Sequence, residues 1–194
     1  MLILGLTGSI GMGKSTTAAL FREAGVPVHD SDGVVHRLYA GEAAPLIEAA
    51  FPGTTGPQGV NRTALGQAVL GNSAALRRLE ALIHPLVAGQ RDLFLSAQRR
   101  NGRALVVLDI PLLFETGGEA LVDVIVVVSA PKSVQKDRVM ARPGMSSARF
   151  EAIMAQQLSD GEKRRRAHVV LDTGSGIEPT RRAVQRLLRA LAGQ

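Results

Sequence analysis

The residues Gly8-Ser9-Ile10-Gly11-Met12-Gly13-Lys14-Ser15 fill every fixed position of the pattern G-x-x-x-x-G-K-S/T. Glycines permit positive φ and close backbone approach, so successive N–H groups can turn inward as a nest for an anion. The loop follows an apolar run, Leu2 to Thr7, and opens a stretch with helical character. A helix N-terminus adds its own preference for negative charge. Lys14 can reach the β- and γ-phosphates of a nucleoside triphosphate, and the Ser15 hydroxyl can bind Mg²⁺. Residues binding the nucleoside triphosphate are therefore expected at Gly8, Gly11, Met12, Gly13, Lys14, Ser15 and Thr16. The alternative is a chance glycine turn, which has no reason to sit between a strand and a helix.

Phosphoryl transfer needs a base and a means of neutralising charge as well as a loop. Asp30 and Asp32 close the second apolar segment, Val26 to Val28, where ligands of an α/β sheet are expected. Carboxylates one residue apart on an extended strand share a face; if the chain turns at Asp30, only one faces the site. Such a carboxylate can accept the proton of an attacking hydroxyl and help hold Mg²⁺. Asp30, Ser31 or Asp32 can equally be the cap of the next helix. Arg138 and Arg142 lie four apart on a helical stretch just before Pro143-Gly144. Arginines beside such a break suit a lid that closes over the transferring phosphoryl group, where one arginine is worth ~10³ to 10⁵ in rate. A solvated, salt-bridging face is the other reading. The run Lys163 to Arg166, KRRR, reads as a solvated helix end.

The elements that must position these groups follow from the pattern of apolar residues. Leu2–Thr7, Val26–Val28, Ala104–Asp109, Val122–Val128 and His168–Leu171 read as strands, two of them near-continuous runs suited to burial on both faces. Helices are expected over 14–24, 131–142, 147–165 and 177–191. The last has Ile177, Val184, Leu187, Leu188 and Leu191 on its inner side and Arg181, Arg182, Arg186 and Arg189 solvated. Between residues 31 and 103 the pattern is helical apart from a loop over Phe51–Gly59, and Pro85 is expected to kink or break its helix near His84. The reading is one α/β domain: a doubly wound, five-stranded parallel sheet with an inserted helical acceptor-binding region and a helical lid. The core spans about 1–30, 104–141 and 166–194, the insertion about 31–103, and the lid about 142–165.

Composition narrows the classes. Among the 194 residues there is no Cys, so disulfides, thiol chemistry and Cys-ligated metals are excluded, in keeping with a cytoplasmic protein. No apolar run approaches the ~20 residues that span a bilayer, and the first residues lack the charged start of a signal peptide. Net charge is +6 and the pI is near 10.7. With one Tyr and five Phe, stacking platforms for single-stranded nucleic acid are lacking, and no nucleic-acid or membrane partner is expected. The guanine-reading string N-K-x-D of a GTPase does not occur. A small-molecule kinase acting on an alcohol, with a nucleoside, nucleotide or shikimate-like compound as one reading of its acceptor, fits best. A nucleotide-binding module without transfer is the reading from another class.

The joint order of several strings resembles the dephospho-coenzyme A kinases over nearly the whole chain. These are GLTGSIGMGKSTTAALF at the start, Asp30-Ser31-Asp32, Gly59 to Leu70 (GVNRTALGQAVL), His84-Pro85, and Asp109 to Glu115 (DIPLLFE). Gln135, Arg138, Arg142 and Gln157 fit the family's lid pattern. The resemblance implies a P-loop kinase fold and Mg²⁺-assisted transfer from ATP to the ribose 3′-hydroxyl of dephospho-coenzyme A, giving coenzyme A and ADP. It implies Asp32 as the catalytic aspartate and Arg138 and Arg142 as lid arginines near the ATP phosphates. It sets Arg62, His84 and the Leu113 to Glu115 stretch toward the acceptor, although His84 also has a purely structural reading ahead of Pro85. Met12 stands where Ser is common, His168 where Asp is usual, and Thr173 where Asn is usual. If that Asn serves the adenine, Thr173 keeps a hydroxyl and loses the amide's paired donor and acceptor.

Overall fold

The computed structural model describes residues 1–192. The chain divides into two compact units, one formed by Met1–His29 with the chain from Gln98 onward, the other by Asp30–Ala97.

The first unit is built on β1 (Leu2–Thr7), β2 (Val28–Asp30), β5 (Leu105–Asp109), β6 (Val124–Ser129) and β7 (Val169–Asp172), in the sheet order β2-β5-β1-β6-β7. Pairings β1 to β5, β1 to β6 and β6 to β7 are parallel, with Leu4 opposite Val107 and Val124. Val106, Val107, Leu108, Val126, Val127 and Val128 are buried because helices cover both faces. Helix α1 (Lys14–Glu23) buries Thr17, Ala18, Leu20 and Phe21, a spacing that keeps one stripe on the sheet. Burying Phe21 completely contributes ~2 to 3 kcal/mol. Helix α9 (Ile177–Ala192) buries Thr180, Val184 and Leu187 in the same way, with Arg182, Arg186 and Arg189 exposed. Ile177, expected on the buried side, is 57% exposed, because it is the first residue of that helix and lies beyond the sheet-facing stripe.

Three expectations need correction. The last strand begins at Val169 rather than His168. The His168 side chain extends the ladder itself: its Nδ1 accepts from Ile125 N–H at 3.0 Å while its own N–H donates to the Ile125 carbonyl at 3.0 Å. The stretch 147–165 is two helices, α7 (Ser147–Ala155) and α8 (Asp160–Arg166), because Ser159 caps the second by accepting from Glu162 N–H. The preceding α6 (Lys132–Met140) stops before Arg142.

The second unit carries α2 (Ser31–Ala40), α3 (Ala43–Ala50), α4 (Arg62–Val69) and most of α5 (Ser73–Arg100). Val34, Leu38, Ala43, Ile47, Phe51, Leu65, Leu79 and Ile83 form its core. The expected loop over Phe51–Gly59 contains a small hairpin of β3 (Thr55–Gly56) and β4 (Gly59–Val60). Pro85 does not break α5, which runs unbroken for 28 residues. Proline removes one backbone donor, and a long helix with an apolar stripe anchored by Leu79, Ile83 and Leu95 tolerates that loss.

Candidate active site

The loop between β1 and α1 has the backbone its sequence demands. Gly11 and Gly13 take φ values of 78° and 86°, a region costly for other residues. A Cβ on Gly11 would lie 2.6 Å from Val139 Cγ2 and 2.9 Å from the Gln135 carbonyl, so the loop lies directly on α6. Side chains strap it there. Gln135 Nε2 donates to the Ile10 carbonyl at 2.8 Å, and Ile10 N–H donates to Gln157 Oε1 at 3.2 Å. Gly13 caps α1 without any side-chain acceptor, and Ser15 and Thr16 are exposed in the first turn. The first N–H groups of α1 are thus left to the positive end of the helix dipole. The Ser9 hydroxyl is buried with no hydrogen-bond partner among the described residues.

Met12 is buried inside the loop rather than displayed toward a ligand. Its Sδ accepts from Ala130 N–H at 3.1 Å, and its carbonyl accepts from Thr173 Oγ1 at 2.8 Å. Its backbone N–H donates to the Ser9 carbonyl at 3.1 Å, so Met12, expected to bind ATP, is engaged within the loop and shapes it from inside.

Lys14 Nζ donates to Asp109 Oδ1 at 2.6 Å, a pair with side chains 14% and 5% exposed. Asp109 ends β5, beside β1, and sequence reasoning gave it no role. The signal was present: an apolar strand, LVVLD, closing on a carboxylate next to the strand that feeds the loop. A carboxylate placed there could help hold Mg²⁺ beside the loop.

The two aspartates after Val28 separate. Asp30 Oδ1 accepts from Gly33 N–H at 3.0 Å and is the cap of α2. Asp32, in the first turn of α2, is exposed and has neither a hydrogen bond nor an ion pair among the described residues. The chain turns at Asp30, which leaves a single free carboxylate.

Arg138 and Arg142 also differ. Arg138 Nη2 donates to the Thr173 carbonyl at 2.7 Å and its Nη1 to Thr173 Oγ1 at 3.2 Å. Arg142 lies past the end of α6 with an exposed side chain that bonds to none of the described residues. Helical spacing therefore does not hold the two on one face.

In the second unit Arg62 is exposed in the first turn of α4, its Nη1 3.0 Å from His36 Nε2. It sits close enough to Tyr39 to oppose the rise that burial imposes on that phenol's pKa. His84 is exposed on α5. In the first unit, the Leu113 side chain is fully buried in a small core with Phe114, Ile125 and Val127, so it offers an acceptor no side-chain surface. Glu115 Oε1 is engaged by Lys163 Nζ at 2.8 Å and by Leu158 N–H at 2.9 Å. Burial pushes the Glu115 carboxyl up, yet the bonds from Lys163 and the Leu158 N–H, with the lysine's charge, bring it below the ordinary carboxylate range. Lys163, expected in a solvated run, is fully buried. Its side chain lies on the inner face of α8, where the aliphatic stem packs and Glu115 supplies the counter-charge. Arg165 and Arg166 of the same run pair with Glu162 and Glu119 at the surface.

Comparison with known proteins agrees with this geometry. The family model described as dephospho-CoA kinase matches residues 2–178. A dephospho-CoA kinase of Mesorhizobium japonicum is 59% identical over 194 residues, covering 100% of this chain and 98% of the relative. The crystal structure of TT1252 from Thermus thermophilus superimposes with a TM-score of 0.85 at 37% identity, over 98% of this chain and 97% of that one. A dephospho-CoA kinase structure from Campylobacter jejuni, at 21% identity and a TM-score of 0.66, covers 97% of this chain and 96% of its own and shares the fold. A strapped phosphate loop on a parallel sheet, matched along nearly the whole sequence to one set of relatives, leaves one conclusion: the chain belongs to the dephospho-CoA kinase family.

Proposed function

We propose a division of labour among these residues for the reaction of the family, the ATP-dependent phosphorylation of dephospho-CoA to CoA that completes coenzyme A biosynthesis. The acceptor is the ribose 3′-hydroxyl. The observation that carries the ATP side is the loop itself: left-handed glycines, uncapped N–H groups at the start of α1, and Lys14 poised beside them. Gly8, Gly11, Gly13, Lys14, Ser15 and Thr16 hold the triphosphate, and Met12 shapes the loop from within. Lys14 exchanges its bond to Asp109 for the β- and γ-phosphates as ATP enters.

A divalent ion fits the donor set. Ser15 offers a hydroxyl and Asp109 a carboxylate, both hard oxygen ligands. Among the described residues no group of three or more acidic, His or Cys side chains could hold an ion by itself. That suits Mg²⁺, which is bound through one or two carboxylates together with substrate phosphates. Ser15 and Asp109 would hold it, with Asp32 a further ligand, and it would supply neutralisation of charge on the β- and γ-oxygens.

Asp32 takes the proton of the 3′-hydroxyl. Its exposure and freedom from other bonds support this role, while Asp30 is committed to the helix cap. Arg142 and Arg138 neutralise charge on the transferring group, and closure of the 142–165 stretch excludes water that would compete for it. Arg62 and His84 bind the acceptor. Leu113 and Glu115 act on the acceptor side through backbone placement, since one side chain is in the core and the other is tied to Lys163. Among the described residues no helix is long and apolar enough to cross a membrane, and the setting proposed is the cytoplasm, where ATP is available.

The test is ADP release from Mg-ATP with dephospho-CoA, adenosine, AMP or shikimate as acceptor, each product weighed by mass spectrometry. Gain of one phosphoryl group on dephospho-CoA alone is expected. Equal turnover with another acceptor would overturn the substrate assignment and leave the kinase chemistry standing.

A further inference from the structure

Thr173 follows β7, on the stretch where a base-reading residue would be sought. Its side chain is nevertheless only 4% exposed and is bonded within the protein. The hydroxyl has one hydrogen to give. It donates to the Met12 carbonyl at 2.8 Å, with the Ser129 carbonyl farther off at 3.3 Å. Its lone pair accepts from Arg138 Nη1 at 3.2 Å, and the Thr173 carbonyl accepts from Arg138 Nη2 at 2.7 Å. The Thr173 N–H donates to the Ser129 carbonyl at 2.9 Å. No donor remains on Thr173 for a nucleobase.

The partners of this one hydroxyl are informative. The Met12 carbonyl belongs to the peptide between Met12 and Gly13. That peptide must present its N–H to the phosphates, so its oxygen must point the other way. The Thr173 hydroxyl gives that oxygen a partner on the far side. The fit is close: a Cβ on Gly13 would lie 3.0 Å from Thr173 Oγ1. On the same threonine, two bonds fix the guanidinium of Arg138.

We infer that Thr173 is a positioning residue for phosphoryl transfer, joining the Met12–Gly13 peptide of the phosphate loop to the Arg138 guanidinium through one hydroxyl. This rests on the kinase reading above. Two departures from the usual family pattern, Met12 and Thr173, are thereby accounted for together. The sulfur of buried Met12 accepts from Ala130 N–H, and the Thr173 hydroxyl donates its one hydrogen to the Met12 carbonyl, which leaves none for a base. Peptide and guanidinium are held in register before substrate arrives, and such preorganisation acts on the transition state.

The experiment compares Thr173→Val, Thr173→Ser and Arg138→Ala with the parent, and adds the Thr173→Val/Arg138→Ala double variant. Turnover is measured with ATP and with GTP, and binding of a non-hydrolysable ATP analogue is measured separately. Thr173→Val keeps the shape and removes the hydroxyl. Its kcat/KM is expected to fall about 10- to 100-fold with both nucleotides, leaving the ATP-to-GTP ratio within about twofold. Thr173→Ser, which restores the hydroxyl, is expected within about threefold of the parent. The double variant is expected to lose less than the product of the single losses, because both act through one bond. Thr173→Ala substitutes for Thr173→Val if the latter does not fold. A loss confined to one nucleotide would overturn the inference in favour of base reading. A lowered Tm with unchanged kcat and KM would overturn it in favour of simple packing. If the parent itself fails to phosphorylate dephospho-CoA while binding the analogue, the kinase reading fails, and the analogue's affinity for the Thr173 variants still tests the loop's anchoring.

Discussion

Lys14 Nζ stands 2.6 Å from Asp109 Oδ1, so the cation we propose for the phosphates is held by a carboxylate at the end of the neighbouring strand. The pair keeps a charge in a largely enclosed place until a stronger anion arrives. Lys14→Met is expected to lower kcat/KM for ATP by ~10²-fold or more, as loss of one preorganised donor does elsewhere. Asp109→Asn should lower kcat by a similar factor and also raise the Mg²⁺ concentration needed for half-maximal rate. A Mg²⁺ titration of ADP release checks this; an unchanged half-saturation point would remove Asp109 from the ion's ligands.

The separation of Asp30 from Asp32 makes opposite expectations for the two. Asp32→Asn should cost ~10² to 10⁴ in kcat with little change in ATP binding, because it removes a proton acceptor and no structural bond. Its Tm should match the parent's. Asp30→Ala removes the bond from Gly33 N–H and should cost about 1 kcal/mol, or roughly 2 to 4 °C in Tm. Thermal melts beside initial rates separate the two; a fall in Tm for Asp32→Asn would mean that its carboxylate has a structural partner.

Local signals in the sequence carried the architecture a long way. Near-continuous β-branched runs name β5 and β6, and the loop's glycines name the turn between β1 and α1. Long-range pairing is what local patterns miss. KRRR reads as one solvated run, and only the fold shows that Lys163 turns inward to Glu115, 48 positions earlier by residue number, while Arg165 stays outside. Thr173 reads as an impaired adenine contact until the structure brings it to Met12. Pro85 reads as a break because the lost donor is local, whereas the stripe that keeps α5 intact is spread over the whole helix. Asp109 was visible as a strand-ending carboxylate, but its value depends on β5 lying next to β1.

The Glu115–Lys163 pair gives a pH expectation with a definite sign. In the folded chain burial works to raise the Glu115 pKa, and the bonds from Lys163 and the Leu158 N–H outweigh it, so the net displacement is downward. A carboxyl depressed on folding adds stability that is present above its unfolded value, about 4.3, and is lost as pH falls through the folded value. Glu115→Gln should therefore destabilise at pH 7 and converge with the parent in acid. Lys163→Met leaves a partly buried carboxylate without its cation and should cost about 3 kcal/mol at neutral pH. Denaturant melts of both variants between pH 3 and pH 8 check the sign; a gap that widens in acid would refute it.

Arg142 and Arg138 were equivalent by spacing and are not equivalent in the structure, and activity and stability should divide between them. Arg142 is exposed and unbonded, so Arg142→Ala has no fold contact to lose. If its guanidinium reaches the transferring phosphoryl group on closure, kcat should fall by ~10³-fold or more with Tm unchanged. Arg142→Lys keeps the charge without the planar fork and should recover only part of the rate. Arg138→Ala loses two bonds to Thr173 and should lower both kcat and Tm. Single-turnover rates at saturating Mg-ATP, with melts of the same preparations, separate the cases. An Arg142→Ala rate within a few-fold of the parent would take Arg142 out of the transfer step and leave its charge to Arg138 alone.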